Sequence, residues 1–290
     1  MNGDYYRVKN RLAIEKIYGK YYTKILNRKY EVKAMNFPQE HISVTQINMY
    51  LRCPAQYYFR YVEGLKIPPS GALTLGKSVH EAFEYNYSQK IDTHEDLPVE
   101  DVKEVFADVF DKGAAETQFT EDEKPGELKD TGVAIVDLYQ RTHAPMIQPV
   151  AVEKEFTIII PEIAEDVPLL GYIDLVDDKQ QVIDHKVYKK TPTDNHVQTD
   201  LQLSAYALAY NYLYGGVPVK LALDCLVKTK QPKIIRMETY RTQTDINRFI
   251  NTAHGVVNSI KNEIFYPKEQ DNFLCSPKWC GYWGQCHNRF

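Results

Sequence analysis

Residues 171–190 read GYIDLVDDKQQVIDHKVYKK. Two apolar runs, Tyr172 to Val176 and Val182 to Tyr188, flank the polar segment Asp177-Asp178-Lys179-Gln180, which is the pattern of a β-hairpin. A turn centred near Lys179 makes cross-strand partners sum to about 358, so Asp174 faces Asp184 with Cβ atoms about 5 Å apart. Lys186, two residues on, shares their face with Leu170, Val176 and Val182, while Ile173, Leu175, Ile183 and Val187 take the other. Neither face reads as a solvated surface. The hairpin therefore places two carboxylates and an ammonium where burial is expected.

Two neighbouring carboxylates in such a place repel each other and resist desolvation, so they need a cation or must hold a proton. A divalent metal supplies that cation. Asp174 and Asp184 offer oxygen ligands suited to Mg²⁺ or Mn²⁺, and the backbone carbonyl of His185 lies between Asp184 and Lys186 as a third. The Lys186 ammonium is placed to orient an attacking water or to stabilise charge building on a phosphate. The alternative is a surface hairpin with incidental charges, and the hairpin alone does not choose.

The chain has 290 residues, 43% of them hydrophobic, enough for one large domain. No apolar run approaches the ~20 residues that cross a bilayer, and the N-terminus lacks the apolar centre of a signal peptide, so a soluble cytoplasmic protein without membrane partners is expected. A formal charge of −4 gives no global attraction to nucleic acid, which leaves local basic patches to supply it. Cys275, Cys280 and Cys286 form C-x4-C-x5-C, and Cys53 is the remaining candidate for a fourth thiolate, because Cys225 in LALDCLVK reads as a buried strand residue. Zinc and an iron-sulfur cluster both fit this set.

Along the chain, residues 1–35 hold nine Lys or Arg against three acidic residues, with tyrosines interleaved; they read as a surface helix or as a phosphate-contacting extension. In HISVTQINMYLRCPAQYYFRYVEGL, Ser43 and Gln46 form a capping box with Ile42 and Ile47 as its staple, Pro54 opens a second helix that ends near Gly64, and Cys53 falls between the two. Residues 71–90 read as a helix with His80 beside Phe83, Glu84 and Tyr87. Residues 98–118 and 126–142 read as amphipathic helices separated by TEDEKPGE. A strand in VAVEKEFTIII, the hairpin, a helix from about Asp200 to Tyr214, strands in VKLALDCLVK and KIIRMETY, and a helix from Asp245 to Glu263 follow. In QLSAYALAY, Gln202 and Tyr206 share a helical face.

GKSVH, GYID, IDHK and QLSAY, in that order, resemble the RecB-like branch of the PD-(D/E)XK nucleases, whose pattern is G-x-x-x-H, G-x-I-D, D-x-K and Q-x-x-x-Y. The opening SVTQINMYLRCPAQYYFRYV and the closing CSPKWCGYWGQC are similar to its iron-sulfur subgroup, which includes AddB nuclease domains and CRISPR-associated RecB-like exonucleases. The resemblance implies an α/β fold, a mixed sheet flanked by helices with a helical insertion. It divides the chain into an extension, 1–42, and one nuclease domain, 43–290, with a helical part about 43–145, a catalytic core about 146–263 and a cysteine-rich tail 264–290. It makes His80, Asp174 and Asp184 metal ligands, Lys186 the catalytic lysine, and Gln202 and Tyr206 positioners of the DNA backbone. It makes Cys53, Cys275, Cys280 and Cys286 the ligands of a 4Fe-4S cluster in preference to zinc. Lys278, Trp279, Tyr282 and Trp283 beside it would either stack on single-stranded DNA or shield the cluster. The implied activity is a metal-dependent DNase, an exonuclease acting on free ends or single strands in recombination, repair or phage DNA metabolism, with a helicase or recombination partner. The alternative is a DNA-end-binding subunit with auxiliary chemistry, for example in CRISPR spacer acquisition.

Overall fold

The computed structural model describes residues 37–218, 220–268 and 273–289. The basic N-terminal segment lies outside them. Helix α1 (Val44–Arg52) starts where the sequence places it: Ser43 Oγ accepts the Gln46 N–H at 3.2 Å, and Ile42 and Ile47 are fully buried. Only half of the capping box forms, because the Gln46 amide turns to the His41 carbonyl at 3.2 Å. Cys53 is extended, and Pro54 opens α2 (Pro54–Tyr57), which runs into a π-helical turn (Tyr58–Val62) and stops before Gly64 at φ +70°.

Helices α3 (Gly71–Thr93), α4 (Val99–Ala114) and α5 (Pro125–Thr142) follow. They pack closely. A Cβ on Gly132 of α5 would lie 2.0 Å from the Phe106 ring of α4, so only glycine permits this approach.

The sheet has five strands in the order β1 (Pro149–Ile158), β2 (Leu169–Asp177), β3 (Gln181–Tyr188), β4 (Lys220–Val227) and β5 (Lys233–Thr239). All neighbours are antiparallel except β3 and β4, whose parallel pairing requires the crossover through α6 (Asp194–Thr199) and α7 (Leu201–Tyr214). Helix α8 (Gln243–Lys261) and the short α9 (Trp283–His287) complete the chain. On one sheet face Ile47, Val182, Leu203, Phe249 and Val257 form a core under α1, α7 and α8; on the other, Val79, Phe83, Phe106, Ile135 and Ile183 form a second under α3, α4 and α5. Each such side chain stabilises the fold by about 1.5–3 kcal/mol, and together the two cores fix the sheet between helical layers. No helix among the described residues is long and apolar enough to cross a membrane.

The hairpin register is the expected one, with Leu175↔Ile183 and Val176↔Val182 paired. Face alternation departs from expectation at one place. Ile173 packs in the α7 core with Val176, not with Leu175, because the β2–β3 ladder stops at Leu175 and the backbone beyond it no longer alternates with β3.

Candidate active site

Where that ladder stops, Asp174 takes over the pairing. Its Oδ2 accepts the backbone N–H of His185 at 3.1 Å, and its Oδ1 accepts the Tyr206 hydroxyl of α7 at 2.9 Å. Tyr206 in turn accepts from Gln202 Nε2 at 2.6 Å, one helical turn away. Tyr206 is buried. Its hydroxyl donates to Asp174 and so orients that carboxylate.

Helix α3 crosses over this point. His80 sets Nε2 2.6 Å from the His185 carbonyl and Nδ1 3.4 Å from Asp174 Oδ2. Glu153 joins from β1. It lies between the pairs Val152↔Leu175 and Lys154↔Ile173, opposite Asp174, with φ +44°, a conformation rarely adopted by a residue with a side chain. One ligand atom each from His80, Glu153 and Asp174 lies within 4.8 Å of the others. Glu153 was not legible in the sequence, where its strand alternates charges as any half-exposed strand would. The backbone strain that aims it exists only in three dimensions.

Asp184 is 1% exposed, and both its carboxylate oxygens lack a well-formed hydrogen bond. Lys186 Nζ approaches Oδ2 at 3.0 Å as an ion pair without hydrogen-bond geometry, and lies 3.6 Å from Asp200 Oδ2 at the N-terminus of α7. Burial pushes the Asp184 carboxyl up despite Lys186. Burial alone would lower Lys186, but Asp184 and Asp200 outweigh it and keep the ammonium charged. Glu153 is pushed up to about 7, first by burial and then by Asp174. For His80, burial opposes the charged ring, yet Asp174, Asp184 and Glu153 raise its pKa. These groups enclose an excess of negative charge, and the cleft beside them, about 430 Å³, is lined by Gly76, His80, Glu84, Glu153 and Lys186. An orphaned buried carboxylate, a second carboxylate, an imidazole and a carbonyl form a donor set that fits a hard divalent cation.

A profile of the PD-(D/E)XK nuclease superfamily matches residues 41–287. The chain belongs to that superfamily. Among solved structures, this PD-(D/E)XK nuclease is similar to a "putative exonuclease" from Eubacterium rectale, with a TM-score of 0.58 and 15% identity over 87% of this chain and 89% of that one. A second, SSO0001, gives a TM-score of 0.37 and 11% identity over 83% and 94%. No curated protein matches the sequence. At 15% identity the likeness to the first structure speaks for the fold alone. PD-(D/E)XK nucleases typically use Mg²⁺ or Mn²⁺, in keeping with the donor set just described.

The cysteines also meet. Cys53, Cys275, Cys280 and Cys286 line one cavity of about 400 Å³, and Gln56 Nε2 donates to Cys280 Sγ at 3.2 Å. Burial and the neighbouring sulfurs push the Cys275 and Cys286 thiols up, so the set would hold thiolates only against a cation. Cys225 is fully buried in β4, away from this cavity, as expected.

Proposed function

We propose that this nuclease is a divalent-metal-dependent deoxyribonuclease, an exonuclease acting on free ends or single strands, whose chemistry is carried by His80, Asp174, Asp184, the His185 carbonyl and Lys186, with Glu153 as an additional ligand. One observation carries the reading: the fully buried Asp184 carboxylate without a hydrogen bond, beside a charged lysine and next to a tight His-Glu-Asp triplet. A structural role would have been filled by a hydrogen-bonding partner. A bound Mg²⁺ or Mn²⁺ supplies positive charge to the scissile phosphate and lowers the pKa of a water. Lys186, held between Asp184 and Asp200, presents its ammonium to that water and to the phosphate. Tyr206 and the His185 N–H fix the Asp174 carboxylate so that it need not reorganise.

A polyanionic substrate suits the surroundings. Lys189 and Lys190 follow β3 while Lys228 and Lys230 follow β4, and the two ends lie side by side, with Lys228 N–H donating to the Tyr188 carbonyl at 2.8 Å. Among the described residues, none of these four lysines makes a salt bridge. They form a local basic patch on an acidic chain, next to Lys186. End-labelled single- and double-stranded DNA, incubated with and without Mn²⁺, tests the reading. Metal-dependent release of nucleotides from a labelled end is expected, and intact DNA at saturating Mn²⁺ would overturn it.

We further infer that Cys53, Cys275, Cys280 and Cys286 hold a 4Fe-4S cluster that ties the α1–α2 junction to the tail. A single zinc about 2.3 Å from each sulfur would draw the thiolates within about 4 Å of one another. The cavity the four cysteines line, about 400 Å³, has room for the larger group. Cys53→Ser should bleach a brown protein as fully as Cys280→Ser, while Cys225→Ser keeps the colour; stoichiometric zinc without acid-labile sulfide would refute the cluster.

A further inference from the structure

Of the tail residues placed beside the cysteines, Tyr282 and Trp283 are occupied. Tyr282 is buried, stacks on Phe59 at 5.7 Å and donates its hydroxyl to the Leu65 carbonyl at 3.0 Å; Trp283 lines the cysteine cavity and stacks on His287 at 4.7 Å. Trp279 is different. It is 58% exposed, lies outside the cavity lining, and meets Phe273, 71% exposed, edge to face at 6.4 Å. Lys278 Nζ sits 5.8 Å from the centre of the Trp279 ring. Two aromatic side chains thus remain largely in water with an ammonium beside them, and nothing in the core requires either.

We propose that Phe273, Lys278 and Trp279 form a platform on which unpaired bases of single-stranded DNA stack, with Lys278 taking a phosphate. The occupant follows from the chemistry. A single strand offers free base faces and phosphates within a few ångströms of each other, whereas in a duplex the faces are already stacked. The platform is linked to the active-site cleft through the α4–α5 loop. Lys278 approaches Asp122 Oδ2 at 3.9 Å, in the loop between α4 and α5. That loop bonds back to the start of α3 through Gln118 N–H to the Pro69 carbonyl at 2.9 Å, and packs Phe119 and Glu123 against Gly71. From Gly71 to His80 the helix rises about 14 Å. Ala72, Leu73 and Gly76 line the cleft along that stretch, with Leu73 62% exposed. A strand lying on Trp279 would reach the carboxylates along the α4–α5 loop and the first turns of α3. Among the described residues, Asp122 is the carboxylate that Lys278 approaches, and it competes with a phosphate for it.

The proposal rests on the nuclease reading for its purpose but not for its test. Trp279 and Trp283 are the only tryptophans of the chain, so fluorescence reports on the platform in EDTA, where no cleavage occurs. A thymidine oligomer should quench wild-type emission, its duplex with adenosine should not, and Trp279→Phe should remove the quenching. By anisotropy in EDTA, Trp279→Ala and Phe273→Ala should each weaken single-strand binding about 10-fold without changing the melting temperature, and Asp122→Asn should tighten it. Wild-type affinity in both alanine variants, or equal quenching by duplex, would overturn the platform. Quenching as predicted in a protein that never cleaves DNA with Mn²⁺ would keep the platform and overturn the nuclease reading.

Discussion

Strand β3 carries two buried polar clusters within three consecutive residues, and they differ in how completely their hydrogen-bonding capacity is met. His185 points into the core beneath α3 and α5. Its Nε2 lies 2.8 Å from the Tyr139 hydroxyl, which contacts Asp224 at 3.0 Å and receives the Tyr87 hydroxyl at 3.1 Å, while Arg236 grips Asp224 with two bonds of 2.7 Å. Counting donors fixes the roles: Tyr139 has one proton, given to Asp224, so it accepts from Tyr87 and from the Nε2–H of His185. Tyr139, Tyr87, Asp224 and Arg236 each have a hydrogen-bond partner. Asp184 and Lys186, on the other side of the same strand, leave two carboxylate oxygens without a hydrogen bond, one of them only ion-paired to an ammonium that faces a cleft. A satisfied buried network holds a fold in register, whereas an unsatisfied one persists because something else completes it. The backbone of His185 joins them: its side chain belongs to the first cluster and its carbonyl to the second, so the network beneath holds in place the carbonyl proposed as a metal ligand.

The comparison breaks most visibly in activity. Asp184→Asn and Lys186→Ala should each lower DNA cleavage by about a thousand-fold, the several kcal/mol of transition-state charge stabilisation that a metal site supplies. Urea unfolding of Asp184→Asn should change little at pH 7, because losing the Lys186 ion pair is offset by removing a buried charge, whereas Lys186→Ala strands the Asp184 carboxylate and should lower stability. Near wild-type turnover in either would return this side of the strand to a structural role.

On the satisfied side the effect falls on stability. Asp224→Ala strands Arg236 and Tyr139 and should cost about 3–5 kcal/mol in urea unfolding. A loss below about 1 kcal/mol would mean the network is not buried as a unit.

Glu153 sharpens the contrast through pH. A carboxyl raised to about 7 in the fold favours the protonated form, so its contribution is present below the unfolded value near 4.5 and is lost as pH rises through 7. Metal-free Glu153→Gln should therefore match wild type at pH 4 and exceed it by up to about 3 kcal/mol at pH 8, measured by urea unfolding. An advantage at pH 4 that fades by pH 8 would reverse the sign and contradict the assignment. The smallest effect belongs to Tyr206→Phe, which removes one hydroxyl from Asp174. It should weaken Mn²⁺ dependence of cleavage by about 10-fold, recoverable at high Mn²⁺, with about 1 kcal/mol lost from stability.

Much of this was readable from spacing. The hairpin turn placed Leu175 opposite Ile183, whereas His80 over the carboxylates followed from the G-x-x-x-H resemblance and not from helical spacing, which left open where its helix docks. What escaped depends on contacts between distant segments. Asp224 in the apolar strand LALDCLVK was a visible signal, since a carboxylate buried in a central strand must find a partner, but that Arg236 faces it follows from the β4–β5 register. Tyr206 shares a helical face with Gln202 in any reading, yet its commitment to Asp174 requires α7 docked on the sheet. Glu153 needed the strained φ of a strand neighbour that alternation cannot reveal.

The central claim is that the unsatisfied cluster is a divalent-cation site, and calorimetric titration of Mn²⁺ into the protein at pH 7 tests it without any DNA. Wild type should bind Mn²⁺ saturably, with heats that depend on the buffer's ionisation enthalpy, because burial holds protons on Asp184 and Glu153 that the cation must displace. Asp184→Asn should lose most of that binding, while Asp224→Asn, on the satisfied side, keeps it if the fold survives. Absence of saturable binding in wild type, or equal binding in Asp184→Asn, would contradict the account.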